Sequence, residues 1–361
     1  MKILVVSGYF YPENTPRAFR TTELVKEFSR IGHEVTLYVP KREFDYTKFT
    51  NSYPIKIRYF NPIQKKRVFT GLSILDRIIF HYENWLIDYP SLKSMNLVKK
   101  AIHNETGYDF IITIAVPHYI HWAVGKIYAQ GGVIAKKWIA DCGDPFMLAG
   151  TVTHRPPLWF KPLEKRWCRL CDYISVPTDT SYQGYYPQYR NKIRIIPQGF
   201  NFDDIVLPKY TKNDIPSFAF AGSLIKGKRD PRRFLEWLAT INIPFRLYVY
   251  GNNVDQFFGP FKQYLGDRLI INNSIPRRQL LVTLSKMDFL LNIDNGTNIQ
   301  TPSKIIDYTL VRRPILTIDS YDIKQEYFME FMQGDYTHKD AEIDISKYDI
   351  HKVARQFLDI I

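Results

Sequence analysis

The stretch Phe218-Ala219-Phe220-Ala221-Gly222-Ser223-Leu224-Ile225-Lys226-Gly227-Lys228-Arg229-Asp230-Pro231 decides the fold. A short apolar run ends on a glycine, three cations follow within four positions, and Asp230-Pro231 then opens a helix. Asp suits an N-cap and Pro the first helical position. The order strand, glycine loop, cations, helix start describes a βα unit whose helix N-terminus can receive an anion. For Lys226, Lys228 and Arg229 the plain alternative is a solvated basic turn. Their place directly after a strand favours a phosphate cradle with Gly222 and Ser223.

The same alternation runs outward in both directions. Short apolar runs at 3–7, 35–39, 110–114, 137–140, 173–176 and 193–196 predict one series of strands, with a helix over 17–31. Runs at 218–220, 246–250, 269–271, 289–293 and 315–318 predict a second series, with helices over 232–240, 279–286 and 303–310. The polar segment 201–217, with Pro208 and Pro216, separates them. Strands alternating with helices indicate parallel sheets. The chain therefore reads as α/β, with two doubly wound Rossmann-like domains, 1–200 and 201–361, facing an interdomain cleft. In such sheets ligands bind beyond the carboxyl ends of the strands.

The chain has 361 residues and a formal net charge of +13. Residues 1–200 carry 28 Lys+Arg against 16 Asp+Glu, whereas 201–361 carry 21 against 20. The first half is expected to meet an anionic surface. With 45% hydrophobic residues the chain is neither disordered nor collagen-like. No apolar run reaches the roughly 18 residues a spanning helix needs. The opening Ile3-Leu4-Val5-Val6 is too short for a signal peptide. A cytoplasmic protein is expected. Cys168 and Cys171 have zinc-like spacing without a second pair, so no metal site is expected. No G-x-G-x-x-G follows the first strand, which counts against a dinucleotide enzyme, and no G-x-S-x-G elbow is present.

A second helix start lies at Thr301-Pro302-Ser303-Lys304-Ile305-Ile306-Asp307-Tyr308, with Arg313-Pro314-Ile315-Leu316 leading into the next strand. Lys304 in a first turn opposes the helix dipole unless it meets an anion. These blocks resemble the second domain of GT-B glycosyltransferases of family 4, which build bacterial surface polysaccharides. That family carries "GIRDP"-type loops, a "PSK" block with a following acid and Tyr, and "GKPIL". The first half is similar to the same family in Tyr11-Pro12-Glu13 with Arg17 and Arg20, in Gly32-His33-Glu34-Val35, in Pro117-His118-Tyr119-Ile120-His121 and in Asp141-Cys142-Gly143-Asp144-Pro145. Leu163-Glu164-Lys165 and Ile196-Pro197-Gln198-Gly199-Phe200 continue the series in the family's order. The sequence departs from the pattern in several places. Asn14-Thr15-Pro16 replace a Gly-Gly pair, Gly143 replaces an Arg, Ser223 replaces another Arg, and Ile299 stands where the first of two glutamates falls.

The resemblance implies a retaining transferase that takes a nucleotide-diphosphate sugar as co-substrate, with no metal and no other cofactor. It implies that Lys226 and Arg229, with Lys228 in support, meet the leaving diphosphate. Ser303 and Lys304 add donors, Thr297 approaches the sugar, and Asp307 accepts from the ribose hydroxyls. Across the cleft His121 or His118 contacts the donor sugar, while Glu13, Arg17, Arg20 and Asp144 face the acceptor, a lipid-linked or oligosaccharide glycan. The stretch 56–100 pairs Lys65-Lys66-Arg67 with Ile74, Leu75, Ile78 and Ile79 at near-helical spacing. That is the pattern of a segment lying on an anionic membrane, and equally of a core helix. An inner-face peripheral enzyme follows from the first reading, with no nucleic-acid partner. Two other classes stay open: a GT-B sugar-nucleotide epimerase, and a non-catalytic binder of anionic surfaces or nucleic acid.

Overall fold

The computed structural model describes residues 1–13, 15–61, 91–148, 156–203, 205–227, 229–293, 303–320 and 322–360. The predicted sites Lys228 and Thr297, and the basic-apolar stretch around Lys65-Lys66-Arg67, lie outside the described residues. The side chain of Ser303 does too.

The chain divides into two units. The first comprises Met1–Phe202 together with Ser346–Ile361, and the second is Asp203–Ile345. Strands β1 Lys2–Ser7, β2 Glu34–Pro40, β3 Ile55–Phe60, β4 Tyr108–Ala115, β5 Ala135–Cys142, β6 Tyr173–Val176 and β7 Ile193–Ile195 form the first sheet, in the order β3-β2-β1-β4-β5-β6-β7. Every pairing in it is parallel. Alternate residues of β1 face opposite sides, and both sides are buried. Leu4 and Val6 pack with Trp122 and Trp138, while Ile3 and Val5 pack with Leu24 and Phe28. A sheet covered on both faces requires such unbroken apolar strands. The covering helices are α1 Pro16–Arg30, α2 Ser91–Ile102, α3 Tyr119–Ala129 and α4 Lys161–Leu170. Thr15 caps α1 by accepting from the Ala18 N–H at 3.2 Å, with Pro16 at the first position.

The second sheet has the order β10-β9-β8-β11-β12. Its strands are β8 Ser217–Ala221, β9 Arg246–Tyr250, β10 Leu269–Asn272, β11 Phe289–Ile293 and β12 Ile315–Ile318, again all parallel. Helices α5 Arg232–Thr240, α6 Arg277–Leu284, α7 Ser303–Leu310 and α8 Gln325–Gln333 accompany it. In both units strand order reverses beside the first strand, between β1 and β4 and between β8 and β11. That reversal creates the crevice where doubly wound sheets take ligands.

One boundary differs from the sequence reading. The expected second domain, 201–361, loses its last helix. Helix α9 Ile350–Asp359 belongs to the first unit. Its Ile350, Val353, Ala354 and Phe357 recur at helical spacing and are buried in the core that holds Leu24 and Phe28 of α1. The Phe200 N–H donates to Tyr348 O at 2.7 Å, and the Ile350 N–H donates to Phe200 O at 3.0 Å, which ties the returning chain to the first unit.

Candidate functional site

In the second unit a pocket of about 200 Å³ lies past the carboxyl ends of β8 and β9. The loop Gly222-Ser223, residues 250–252, the approach to α6 with one face of that helix, and the first two turns of α7 line it. Gly222 has φ 151°, a region that side chains rarely adopt. A Cβ on the neighbouring Gly251 would stand 2.4 Å from Gly222 O, so the two loops approach backbone to backbone. Fully buried Tyr308 fixes the end of β8. Its hydroxyl accepts from the Ala221 N–H at 2.7 Å and lies 3.3 Å from Ala221 O. Asn253 holds the following loop, accepting from Leu224 N–H at 3.3 Å and donating to Leu224 O at 2.9 Å.

Asp307 and Lys304 both project from α7 into this pocket. The sequence reading gave Asp307 no protein partner, and the structure supplies one. Arg277 of α6 donates to Asp307 Oδ1 through Nε at 2.9 Å and Nη2 at 2.6 Å. Both contacts fall on one oxygen, and Oδ2 carries neither. Burial pushes the Asp307 carboxyl above its ordinary range, and Arg277 pulls it only partly back. Lys304 Nζ lies 3.4 Å from Ile293 O and 5.0 Å from the Phe220 ring centre. Its ammonium is thereby held at the carboxyl ends of β8 and β11.

Gly222, Ser223, Lys304 and Asp307 are thus brought together, while Lys226 and Arg229 do not line the pocket. They flank the tip of a tight hairpin in which the Ile225 N–H donates to Arg229 O at 3.2 Å. The helix start is also corrected. Pro231, not Asp230, occupies the N-cap of α5. The Asp230 carboxylate accepts from the Gly227 N–H and the Arg232 N–H, each at 3.2 Å, and from the Arg232 guanidinium. The Arg232 hydrogen bond above all holds Asp230 down at about 2. From one position before the N-cap, the acid therefore holds the loop at Gly227 and also accepts from the first helical N–H, that of Arg232.

The first unit gathers its predicted residues differently. Arg20 is 2% exposed and donates to Asp141 through Nη2 at 2.8 Å and Nε at 3.2 Å, with further bonds to the carbonyls of Ile196 and Pro197. Ser175 Oγ adds a bond to Asp141 Oδ1 at 2.7 Å. Burial alone would raise the Asp141 carboxyl, and Arg20 and Arg17 more than reverse this, leaving it below its ordinary value. The expected acceptor role of Arg20 is corrected accordingly, since the side chain is enclosed and its guanidinium is spent on protein oxygens. Arg17 is the accessible member, 3.4 Å from Asp141 Oδ2 with 15% of its side chain exposed. Its guanidinium lies against Gly143, where a Cβ would stand 2.8 Å from Arg17 Cζ. Asp144 is exposed beside it, and Glu13 pairs with Arg42.

His121 is corrected outright. It is fully buried, with Nδ1 2.7 Å from Thr113 Oγ1 and Nε2 3.2 Å from Cys142 Sγ. Its ring lies 4.7 Å from Trp167, and burial lowers it to about 3. A neutral core histidine with both nitrogens engaged has no face for a sugar. Cys168 and Cys171 are buried free thiols. Arg277 and Asn253 are positioning residues that sequence reasoning missed, and Tyr308 was matched to the motif without a role. Arg277 follows Pro276 at a helix start, a signal that names no partner.

No protein-family model matches the sequence, and no curated protein does. Solved structures do match over their whole length. Anabaena HepE, solved with UDP, covers 100% of this chain and 99% of its own at 9% identity, with a TM-score of 0.62. The fold is GT-B. The lipopolysaccharide outer core galactosyltransferase WaaB matches at 11% identity and TM-score 0.60, covering 99% and 98% of the two chains. The GT-B fold also matches the UDP-GlcNAc 2-epimerase of Methanocaldococcus jannaschii, at 8% identity and TM-score 0.55, over 100% of this chain and 99% of that one.

Proposed function

We propose that this chain is a retaining glycosyltransferase. In this reading it moves a sugar from a nucleotide-diphosphate donor to a lipid-linked glycan acceptor during bacterial surface-polysaccharide synthesis. The observation that carries the reading is the pocket of the second unit, where Asp307 and Lys304 leave one helix toward a glycine loop at a strand reversal. HepE has been solved with UDP, with UDP and glucose, and with UDP-glucose, and the GT-B galactosyltransferase WaaB shares the fold.

The chemical problem is the departure of a diphosphate as the sugar acquires positive character. Fixed cations answer it, because they strengthen as negative charge grows on the leaving group. Lys304 supplies one, beside the N–H groups of the first turn of α7 and of Gly222-Ser223. Lys226 and Arg229 add theirs from the hairpin when the donor extends beyond the pocket, with Lys228 and Ser303 in support. In this reading the side chains meet the diphosphate without a metal. Asp307 Oδ2 accepts from ribose hydroxyls while Arg277 fixes the carboxylate through Oδ1. Thr297 approaches the sugar. Arg17, with Glu13 and Asp144, addresses the acceptor.

The membrane partner in this reading is an anionic inner leaflet. Among the described residues no helix is long and apolar enough to cross a bilayer. Exposed Leu158 and Trp159 precede α4, whose outer face carries Lys161, Lys165, Arg166 and Arg169. Trp beside cations suits a bilayer surface.

Incubation with a panel of nucleotide sugars, with and without a polyprenyl-diphosphate glycan, tests the proposal. Release of nucleoside diphosphate that depends on acceptor supports it. Donor conversion without acceptor would instead indicate an epimerase, which the shared GT-B fold also accommodates. No reaction with any donor would leave a binding protein.

A further inference from the structure

A second cavity lies at the opposite edge of the second sheet. Ile315, the first residue of β12, lines it, so it opens at the amino ends of the strands. The donor pocket lies past their carboxyl ends. This cavity measures about 550 Å³, within the roughly 300–1,000 Å³ typical of small-molecule sites.

Its lining has a definite chemistry. Arg312, Arg313 and Lys339 supply three cations, and Ile315, Tyr336 and Ile343 supply an apolar wall. Two carboxylates are present, and both have partners. Asp340 accepts from the Thr317 N–H at 3.3 Å and the Thr317 hydroxyl at 2.5 Å, while Glu342 pairs with Lys339 at 3.1 Å. Arg313 is fixed by stacking 3.4 Å over the Tyr210 ring centre and by donating from Nη2 to Asp288 O at 3.0 Å. Its Nε and the Thr309 hydroxyl are buried with no hydrogen-bond partner among the described residues. A buried donor left unpaired is costly.

Arg312 is the decisive residue. It follows α7 with φ 55° and is the one non-glycine residue in the left-handed region among the described residues. A glycine would hold that backbone without strain. Arg312 carries its guanidinium exposed, with no side-chain hydrogen bond or ion pair among the described residues. A strained backbone that presents an uncommitted cation beside an apolar cavity points to function.

We propose that this cavity binds a small organic phosphate, with Arg312 and Lys339 meeting the anion and Tyr336 and Ile343 covering the apolar body. The site is distinct from the proposed donor pocket and does not depend on the donor reading. Phenyl phosphate is the probe, followed by ligand-observed NMR on the full chain, with inorganic phosphate and phenol as comparators. Phenyl phosphate is expected to bind more tightly than either comparator, and saturating UDP should not displace it. Arg312→Gly should weaken binding roughly tenfold or more, as for loss of a charged hydrogen bond. The same variant should melt no lower than the parent, because glycine relieves the left-handed strain. Arg312→Lys should retain part of the affinity. Equal binding by the parent and Arg312→Gly would overturn the proposal. So would displacement by UDP, or absence of binding at about 10 mM probe, where even a weak site with a Kd near 1 mM is filled.

Discussion

Each unit holds a carboxylate clamped by arginine at the carboxyl edge of its sheet, and the two clamps do opposite things. In the first unit Asp141 is 1% exposed, and Arg20, Arg17 and Ser175 engage both of its oxygens. Its pKa is pulled down, and it joins α1 to β5 and β6. In the second unit Arg277 engages Asp307 through one oxygen only, and burial leaves its pKa raised. The first clamp is saturated and structural. The second leaves Oδ2 without a hydrogen bond among the described residues, on a side chain that lines a pocket. Residue type does not separate them; the number of bonds already made does.

The largest effect should come from breaking the saturated clamp. Asp141→Ala leaves Arg20 buried without its counter-charge, and removing one partner of such a pair costs about 3–5 kcal/mol. The expected outcome is a strongly lowered melting midpoint by circular dichroism, whatever happens to activity. Because the Asp141 pKa is depressed, this stabilisation is present above the unfolded-state value and is lost as pH falls through the folded one.

Next in size is the hairpin. Lys226→Ala and Arg229→Ala should each slow turnover by about 2–4 kcal/mol of transition-state stabilisation, as for loss of an oxyanion donor. Melting should be unchanged for Lys226→Ala, which stands exposed. Near-normal rates in both would return the hairpin to a solvated turn.

Arg277→Ala sharpens the contrast between the clamps. It removes the group that offsets burial, so the Asp307 pKa should climb further. Nucleotide affinity depends on the ionised carboxylate and weakens as pH falls through that pKa. The acid-side midpoint of a UDP titration series should therefore move to higher pH in the variant. A midpoint that stays in place would show that Asp307 does not face the nucleotide.

The smallest effect concerns the loop acid. Asp230→Ala should cost about 1 kcal/mol, the ordinary value for a lost cap-type acceptor. Its folded pKa of about 2 is depressed. The contribution is therefore full above the unfolded carboxylate range and fades as pH drops toward 2. Acid-melting curves of parent and variant should converge there.

The architecture was legible because buried parallel strands are continuous apolar runs. Strands 246–250, 289–293 and 315–318 have the bounds the sequence indicated. Strand β3 was not legible, since at the sheet edge only its Ile55 and Phe60 are buried. The return of α9 to the first unit was hidden because an amphipathic face shows that a partner exists and not which one. The burial around α1 was only partly legible from its apolar residues. Leu24 and Phe28 are buried, but Phe19 and Ile31 are 39% and 40% exposed. Within the pocket, the position of Gly222 after a strand and of Lys304 in a first helical turn followed from the sequence, while Asp307 was singled out by the family resemblance. The inertness of His121 and Arg20 was not, because both depend on groups remote in sequence: Cys142 for the one, and Asp141, Ile196 and Pro197 for the other. Arg17 illustrates the same limit. Its guanidinium occupies the space that glycine leaves at 143, a pairing across more than a hundred residues.

One titration separates a nucleotide-binding Asp307 from a structural one. UDP, GDP, CDP and TDP are titrated into the parent protein and into Asp307→Asn, and both proteins are melted without ligand. The best-bound nucleotide is expected to weaken roughly tenfold in the variant, the loss that follows when a charged acceptor becomes neutral, with little change in melting. Unchanged nucleotide affinity together with a lowered melting midpoint would contradict that expectation, and would make Asp307 a second structural clamp like Asp141.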